Sequence, residues 1–272
     1  MTGVPLIVIA CLAGLLIGSF LNVCVFRWPR DLSVVRPRSF CPGCETPIAW
    51  YDNIPLLSYA LLKGRCRHCG GFIPWRYPLM ELSTAIAFGV CVAAFGWKAE
   101  SAKYCLLSAI LIALIASDVE SRILPDELTL GGTLLGLVCA LFVPMDEYIV
   151  AFLIPRSYAP PWHWLAESAF AAIVGSGAIW LIAIVYEKIR HREGMGLGDV
   201  KMIAMIGAFL GLRWSLATLM LASLAGSVGG LIYLKAARKD ASTYELPFGS
   251  FLGATALVLM FVTQVWPALK GQ

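Results

Sequence analysis

Two aspartates stand where apolar helices should carry none. Asp118 closes the apolar run from Tyr104 to Ser117, and Asp199 follows Gly196-Leu197-Gly198 at the mouth of another apolar segment. A carboxylate at the centre of a membrane helix costs about 2.5–3.5 kcal/mol on insertion scales, and less near the interface. An acid kept at that cost is a candidate for chemistry, and two suggest a pair. One carboxylate, ionised, can take a proton from water. The other, protonated, can polarise a scissile carbonyl and then donate to the leaving amine. Carboxylates that share a site titrate together. Each aspartate also has a plain reading. Asp118 can be a helix-end charge paired with Arg122, and Asp199 can cap a helix beginning at Val200. Glu120, Asp126, Glu127 and Glu193 are expected to be solvated interface charges. His68, His163 and His191 accompany no apolar acid, so no Ser-His-Asp order stands out.

A second constellation is cysteine-based. Cys41-Pro-Gly-Cys44 and Cys66-Arg-His-Cys69 are two C-x2-C turns within a basic, proline-rich stretch. Each tight turn aims two thiolates at one point, and two turns complete a tetrahedron, the signature of structural zinc. A stretch of about 50 residues has too small a core to fold alone, and metal binding supplies folding energy. The competing readings are redox pairs or disulfides, and a reducing compartment disfavours the latter. Cys11, Cys24, Cys91, Cys105 and Cys139 lie in apolar segments, where cysteine behaves as a small hydrophobe.

The elements that must position these groups are membrane helices. The chain has 272 residues, 59% hydrophobic and 14% charged, with a mean hydropathy of +0.78. Soluble domains carry about 25% charged residues. Apolar segments at 4–26, 79–96, 104–118, 128–144, 167–187, 200–212, 215–234 and 251–267 predict an all-α polytopic membrane protein of about eight transmembrane helices. The sixth is short enough to be tilted, broken or re-entrant. Basic residues concentrate in alternate loops: Arg27 to Arg76, Arg122, Lys188 to Lys201 and Lys235 to Lys239. The positive-inside rule puts those loops in the cytoplasm, with Asp118 and Asp199 at cytoplasmic helix ends. The same charge suits anionic lipid headgroups. Nothing points to nucleic acid.

The ordered motifs resemble those of the bacterial type IV prepilin peptidases, or leader peptidase/N-methyltransferases, of the G-x-G-D aspartic peptidase class. Gly18-Ser-Phe-Leu-Asn-Val-Cys-Val-Phe-Arg-Trp-Pro29 is similar to an opening G-S-F-L-N-V-x-x-x-R-x-P. The tetracysteine insert, an Asp-x6-Pro segment from Asp118 and the G-x-G-D segment ending at Asp199 follow in order. Pro247-Phe-Gly-Ser-Phe251 is similar to a late P-F-G-P-F, with Ser250 in place of the proline.

The resemblance implies a bifunctional inner-membrane enzyme. An aspartic endopeptidase cleaves the basic leader of type IV prepilins or type II secretion pseudopilins after a glycine. An S-adenosylmethionine-dependent N-methyltransferase then modifies the new N-terminal residue. It assigns catalysis to Asp118 and Asp199, metal ligation to Cys41, Cys44, Cys66 and Cys69, and methylation to the pair Gly64-Arg65. The implied domains are a first helix over 1–26, a zinc insert associated with methyl transfer over 27–78, and a peptidase domain over 79–272. The long outer loop 144–166, rich in Pro and Trp, departs from the family. Two other classes stay open on the residues alone. One is a proton-coupled transporter using Asp118 and Asp199 as a relay. The other is a thiol redox enzyme built on the C-x2-C pairs.

Overall fold

In a computed structural model the chain is described over residues 3–146, 160–190, 196–237 and 247–271, and these are overwhelmingly helical. The α-helices are α1 (Val4–Arg27), α2 (Leu57–Leu61), α3 (Arg76–Phe95), α4 (Ala99–Ser121), α5 (Asp126–Ala140), α6 (Pro160–Arg190), α7 (Leu197–Ala237), α8 (Phe248–Met260) and α9 (Trp266–Lys270). A π-helical turn, Phe261–Val265, joins α8 to α9. Part of the outer loop, residues 147–159, lies outside the described residues, as do His191 and Glu193; residues 160–166 form the start of α6.

Each of the eight apolar segments contributes to a helix, although 128–144 runs past the end of α5 at Ala140. Six helical spans among the described residues are long and apolar enough to cross a membrane: Val4–Arg30, Arg76–Phe95, Ala99–Ser121, Pro161–Ile189, Leu197–Ile232 and Phe248–Lys270. The expected count of eight is therefore not reached, for two local reasons. The segment at 128–144 yields α5, of only 15 residues. The segments at 200–212 and 215–234 run together in α7, which is broken rather than divided by a loop. The break is at Gly211, whose φ of 81° and ψ of 172° are not helical. Only glycine adopts that conformation without strain.

The chain divides into two compact units, Met1–Ser117 with Ala268–Gln272, and Asp118–Pro267. In the first, α1 packs on α3. The contact is close because Gly18 has no side chain. A Cβ there would stand 2.8 Å from Glu81 Cα and 2.9 Å from Met80 O. Small residues at such contacts let backbones approach, the main way membrane helices gain packing. Asn22 Nδ2 donates to Tyr77 O at 3.1 Å and closes the same interface. Beyond α1, the buried Arg27 donates to Ser33 O at 2.7 Å and to Pro37 O at 2.8 Å, folding the following loop back on the helix end. Leu56 N–H donates to Glu81 Oε2 at 2.8 Å, which ties the insert to α3.

In the second unit α7 packs against α5, α6 and α8. Met202, Ile203, Met205, Ile206 and Phe209 of its first part are fully or almost fully buried, as are Leu252 and Met260 of α8. Ser168 Oγ donates to Ala208 O at 2.7 Å, locking α6 to α7. Outward faces stay apolar, with Leu130 and Leu134 of α5 and Ile173 and Leu181 of α6 exposed. That is the surface expected of helices solvated by lipid.

Candidate active site and metal centre

Asp118 lies in the last turn of α4 and is buried. The helix ends where Arg122 takes a left-handed φ of 56°, its N–H donating to Asp118 O at 2.9 Å. Pro125 then blocks continuation and serves as the N-cap residue of α5. Its carbonyl accepts the N–H groups of Leu128 and Thr129, both at 3.1 Å. The short connection thus turns the chain back within a few residues of Asp118.

Asp199 sits in the first turn of α7 and is part-buried. The helix starts at Leu197, not at Val200, so Asp199 is inside it and does not cap it. Its own N–H donates to Gly196 O at 3.1 Å. Asp199 lies close enough to Asp118 for their charges to interact.

A third element, the start of α8, completes the site. Ser250 N–H donates to Asp118 Oδ2 at 2.5 Å. A Cβ on Gly249 would stand 3.1 Å from Asp118 Cγ and 3.0 Å from Leu124 Cδ1. A Cβ on Gly198 would stand 3.1 Å from Leu124 Cβ. Leu124 is therefore wedged between Gly198, next to Asp199, and Gly249, next to the contact with Asp118. Both glycines are required for close approach. Lys201 Nζ donates to Asp126 Oδ1 and Oδ2 at 2.7 and 2.8 Å, so Asp126 is partnered across two helices and is not a merely solvated charge.

The four insert cysteines converge. Their sulfurs all lie within 4.8 Å of one another, with Cys41 to Cys69 at 3.8 Å and Cys44 to Cys66 at 4.0 Å. A tetrahedral zinc with bonds of about 2.3 Å needs sulfurs about 3.8 Å apart. The two turns are built alike. Cys41 N–H donates to Thr46 O and Glu45 N–H to Cys41 O; Cys66 N–H donates to Gly71 O and Gly70 N–H to Cys66 O. Each is closed by an antiparallel bridge, Phe40 with Pro47 and Arg65 with Phe72.

Thr46 draws the Cys44 thiol down to about 6, and the N–H groups of Cys69 and His68 lower Cys66. Although the Gly71 N–H draws Cys69 down, the thiols of Cys44 and Cys66 push it up to about 11. Four thiolates at this spacing repel one another unless a cation sits among them, so the donor set fits a tetrathiolate metal. His68 is exposed, outside the ligand set. Arg67, between the second pair, makes a two-point contact with Asp52 at 2.6 and 2.8 Å that holds Asp52 well below its usual range.

Gly64 and Arg65 behave differently from each other. Gly64 is buried in a turn with φ of 68°, where a Cβ would meet Tyr59 Oη at 2.9 Å. Arg65 is exposed. Neither lines the groove of about 370 Å³ in this unit, whose walls include Ser19, Phe20, Arg27, Arg38, Trp50 and Asn53.

Sequence reasoning singled out both aspartates and all four cysteines, and the structure brings the four sulfurs together and the two acids into electrostatic reach. Sequence reasoning missed Leu124, the Asp126–Lys201 pair and the Ser250 contact. The glycines on either side of Leu124 were the available signal for the first. The other two join positions far apart in the chain and carry no local signature.

Two family models match the chain. Residues 12–95 match the Bacterial Peptidase A24 N-terminal domain, and residues 105–231 match the Type IV leader peptidase family. A prepilin leader peptidase/N-methyltransferase of Myxococcus xanthus is 38% identical over 87% of this chain and 67% of its own length. The protein of that name from Neisseria gonorrhoeae is 32% identical over 96% of this chain and 93% of its own. The one from Pseudomonas aeruginosa is 32% identical over 94% and 91%. No solved structure gives a significant match.

Proposed function

The chain belongs to the type IV leader peptidase family, and we propose that it cleaves prepilins or pseudopilins with Asp118 and Asp199 and then N-methylates the product. The observation that carries the peptidase half is the convergence of α4, α7 and α8 on the two carboxylates. The ionised carboxylate takes a proton from water. The resulting hydroxide adds to the carbonyl carbon of the leader's last glycine. The protonated carboxylate polarises the carbonyl oxygen, and as the C–N bond breaks a proton passes to the departing amine. The products are a leader ending in a glycine carboxylate and a mature chain with a free N-terminus. With the basic loops inside, the acids lie at the cytoplasmic rim of an inner-membrane protein. There a basic leader meets the apolar helix of its substrate.

Methyl transfer is assigned to the region 27–78, and cleavage to 79–272. Bound S-adenosylmethionine supplies an electrophilic methyl group to the new α-amine. The groove beside the insert would hold that cofactor, where Trp50 would offer a face for adenine and Arg38 a cation for the carboxylate. Gly64 then serves the turn that carries Cys66, and Arg65 is left as the surface member of its pair. Cys41, Cys44, Cys66 and Cys69 hold zinc, which orders the insert. The family assignment lends nothing to a proton-coupled carrier.

Mass spectrometry of a co-expressed prepilin tests both halves. The expected product lacks its leader and is heavier by one methyl group at its N-terminus. An intact leader removes the peptidase reading, and a cleaved but unmethylated chain removes the methyltransferase half. Calorimetry separates the cofactor site from activity: Trp50→Ala is expected to weaken S-adenosylmethionine binding at least ten-fold while cleavage persists.

A further inference from the structure

The start of α8 delivers a main-chain group to Asp118, and the direction of that group matters. Phe248, Gly249 and Ser250 form the first turn of the helix, where N–H groups have no partner within the helix. Ser250 N–H is directed at Asp118 Oδ2, at 2.5 Å. Its hydroxyl donates to Pro247 O at 2.7 Å, satisfying the residue before the helix, and also lies near enough to Asp118 to favour the carboxylate. Gly249 makes the approach possible, since any side chain there would press on Asp118.

We infer that Ser250 is a positioning residue for Asp118: its main-chain N–H holds Oδ2 and sets the lower pH limit of cleavage in this chain. The inference rests on the reading of Asp118 as catalytic. A backbone N–H aimed at a carboxylate stabilises its charged form, and the partial positive charge of a helix N-terminus acts in the same direction. The bond also fixes the rotation of the carboxylate through Oδ2. Among the described residues, the charged groups that act on Asp118 are Asp199 from α7 and Arg122 from the turn that follows α4, and the group from α8 is Ser250. Asp126 is held by Lys201.

Because the contact is main-chain, two substitutions at one position separate it from the side chain. Ser250→Ala keeps the N–H, and Ser250→Pro removes it. The first turn of a helix tolerates proline, and the resembled segment itself carries proline at this place. The measurement is kcat/KM for a synthetic leader peptide against pH, using the full chain in detergent. Ser250→Ala, which loses only the hydroxyl, is expected to be displaced less than Ser250→Pro, because the backbone N–H contributes more than the side chain. Ser250→Pro is expected to cleave at its optimum, with the acid limb displaced upward by about one pH unit.

Superimposed profiles for all three proteins would overturn the inference. So would an equal displacement in Ser250→Ala, because the hydroxyl would then be responsible. Should Ser250→Pro fail to fold, the α-hydroxy-acid analogue of serine at 250 replaces the N–H by an ester oxygen, and the same displacement is expected. Asp118→Ala distinguishes failure of the underlying reading: retained cleavage there removes the catalytic role itself. Lost cleavage there with an unmoved Ser250→Pro profile removes only the inference.

Discussion

Lys201 donates to both carboxylate oxygens of Asp126, at 2.7 and 2.8 Å, and so joins the turn after Asp118 to the helix that carries Asp199. An exposed ion pair contributes about 0.2–1 kcal/mol to stability. On the proposed mechanism its value would be geometric, holding the start of α5 to the helix that carries Asp199.

Breaking that pair is expected to cost more in activity than in stability. Lys201→Ala should lower kcat/KM for leader cleavage by about three- to ten-fold, with the melting temperature within a few degrees of wild type. Exchanging the charges, with Asp126→Lys and Lys201→Asp together, should recover most of the loss. A double variant as poor as the single ones would show that the pair does not set the spacing.

Removing either carboxylate of the proposed pair should stop cleavage. Asp118→Asn and Asp199→Asn are each expected to reduce the rate by at least about a thousand-fold, with membrane insertion unchanged. A pre-cleaved substrate should still be methylated by both variants, which peptide mass spectrometry reads directly.

The wedge at Leu124 predicts a rescue. Gly198→Ala places a methyl group 3.1 Å from Leu124 Cβ, inside ordinary contact distance. A displacement of that kind in an active site costs on the order of a hundred-fold in rate. Leu124→Gly in the same chain removes that Cβ, so the double variant should cleave faster than Gly198→Ala alone. A strictly additive loss would place the clash elsewhere.

Metal removal should divide the two activities. The four cysteines lie in the unit Met1–Ser117, and both aspartates lie in Asp118–Pro267 or at its first residue. Stripping the metal with a strong chelator, or Cys41→Ser with Cys69→Ser, is expected to abolish N-methylation and make the insert sensitive to protease. Leader cleavage should persist within a few-fold. Metal analysis of the untreated protein should give one zinc per chain.

The sequence carried what depends on local chemistry. Acids at the ends of apolar runs and two C-x2-C turns are readable because hydropathy and metal geometry constrain residue types at short spacing. The helices were readable for the same reason. What escaped was set by geometry between distant segments. Hydropathy divides α7 near Arg213, whereas the backbone breaks at Gly211, since one glycine interrupts a helix without adding polar residues. Asp126 is the exposed charge expected, and only its pairing with Lys201 escaped, because that partner lies 75 residues away. The contact from Ser250 to Asp118 spans 132 residues and uses a main-chain group, which no side-chain pattern encodes.

The shortness of α5 reaches beyond the protein. Fifteen residues at 1.5 Å each give a rod about 22 Å long, some 8 Å less than a typical hydrocarbon core. Its exposed Leu130, Leu134 and Val138 require lipid contact, so acyl chains beside it must compress or tilt to match. A bilayer thinned there would bring the aqueous boundary toward Asp126 at the start of α5, and with it the water that hydrolysis needs.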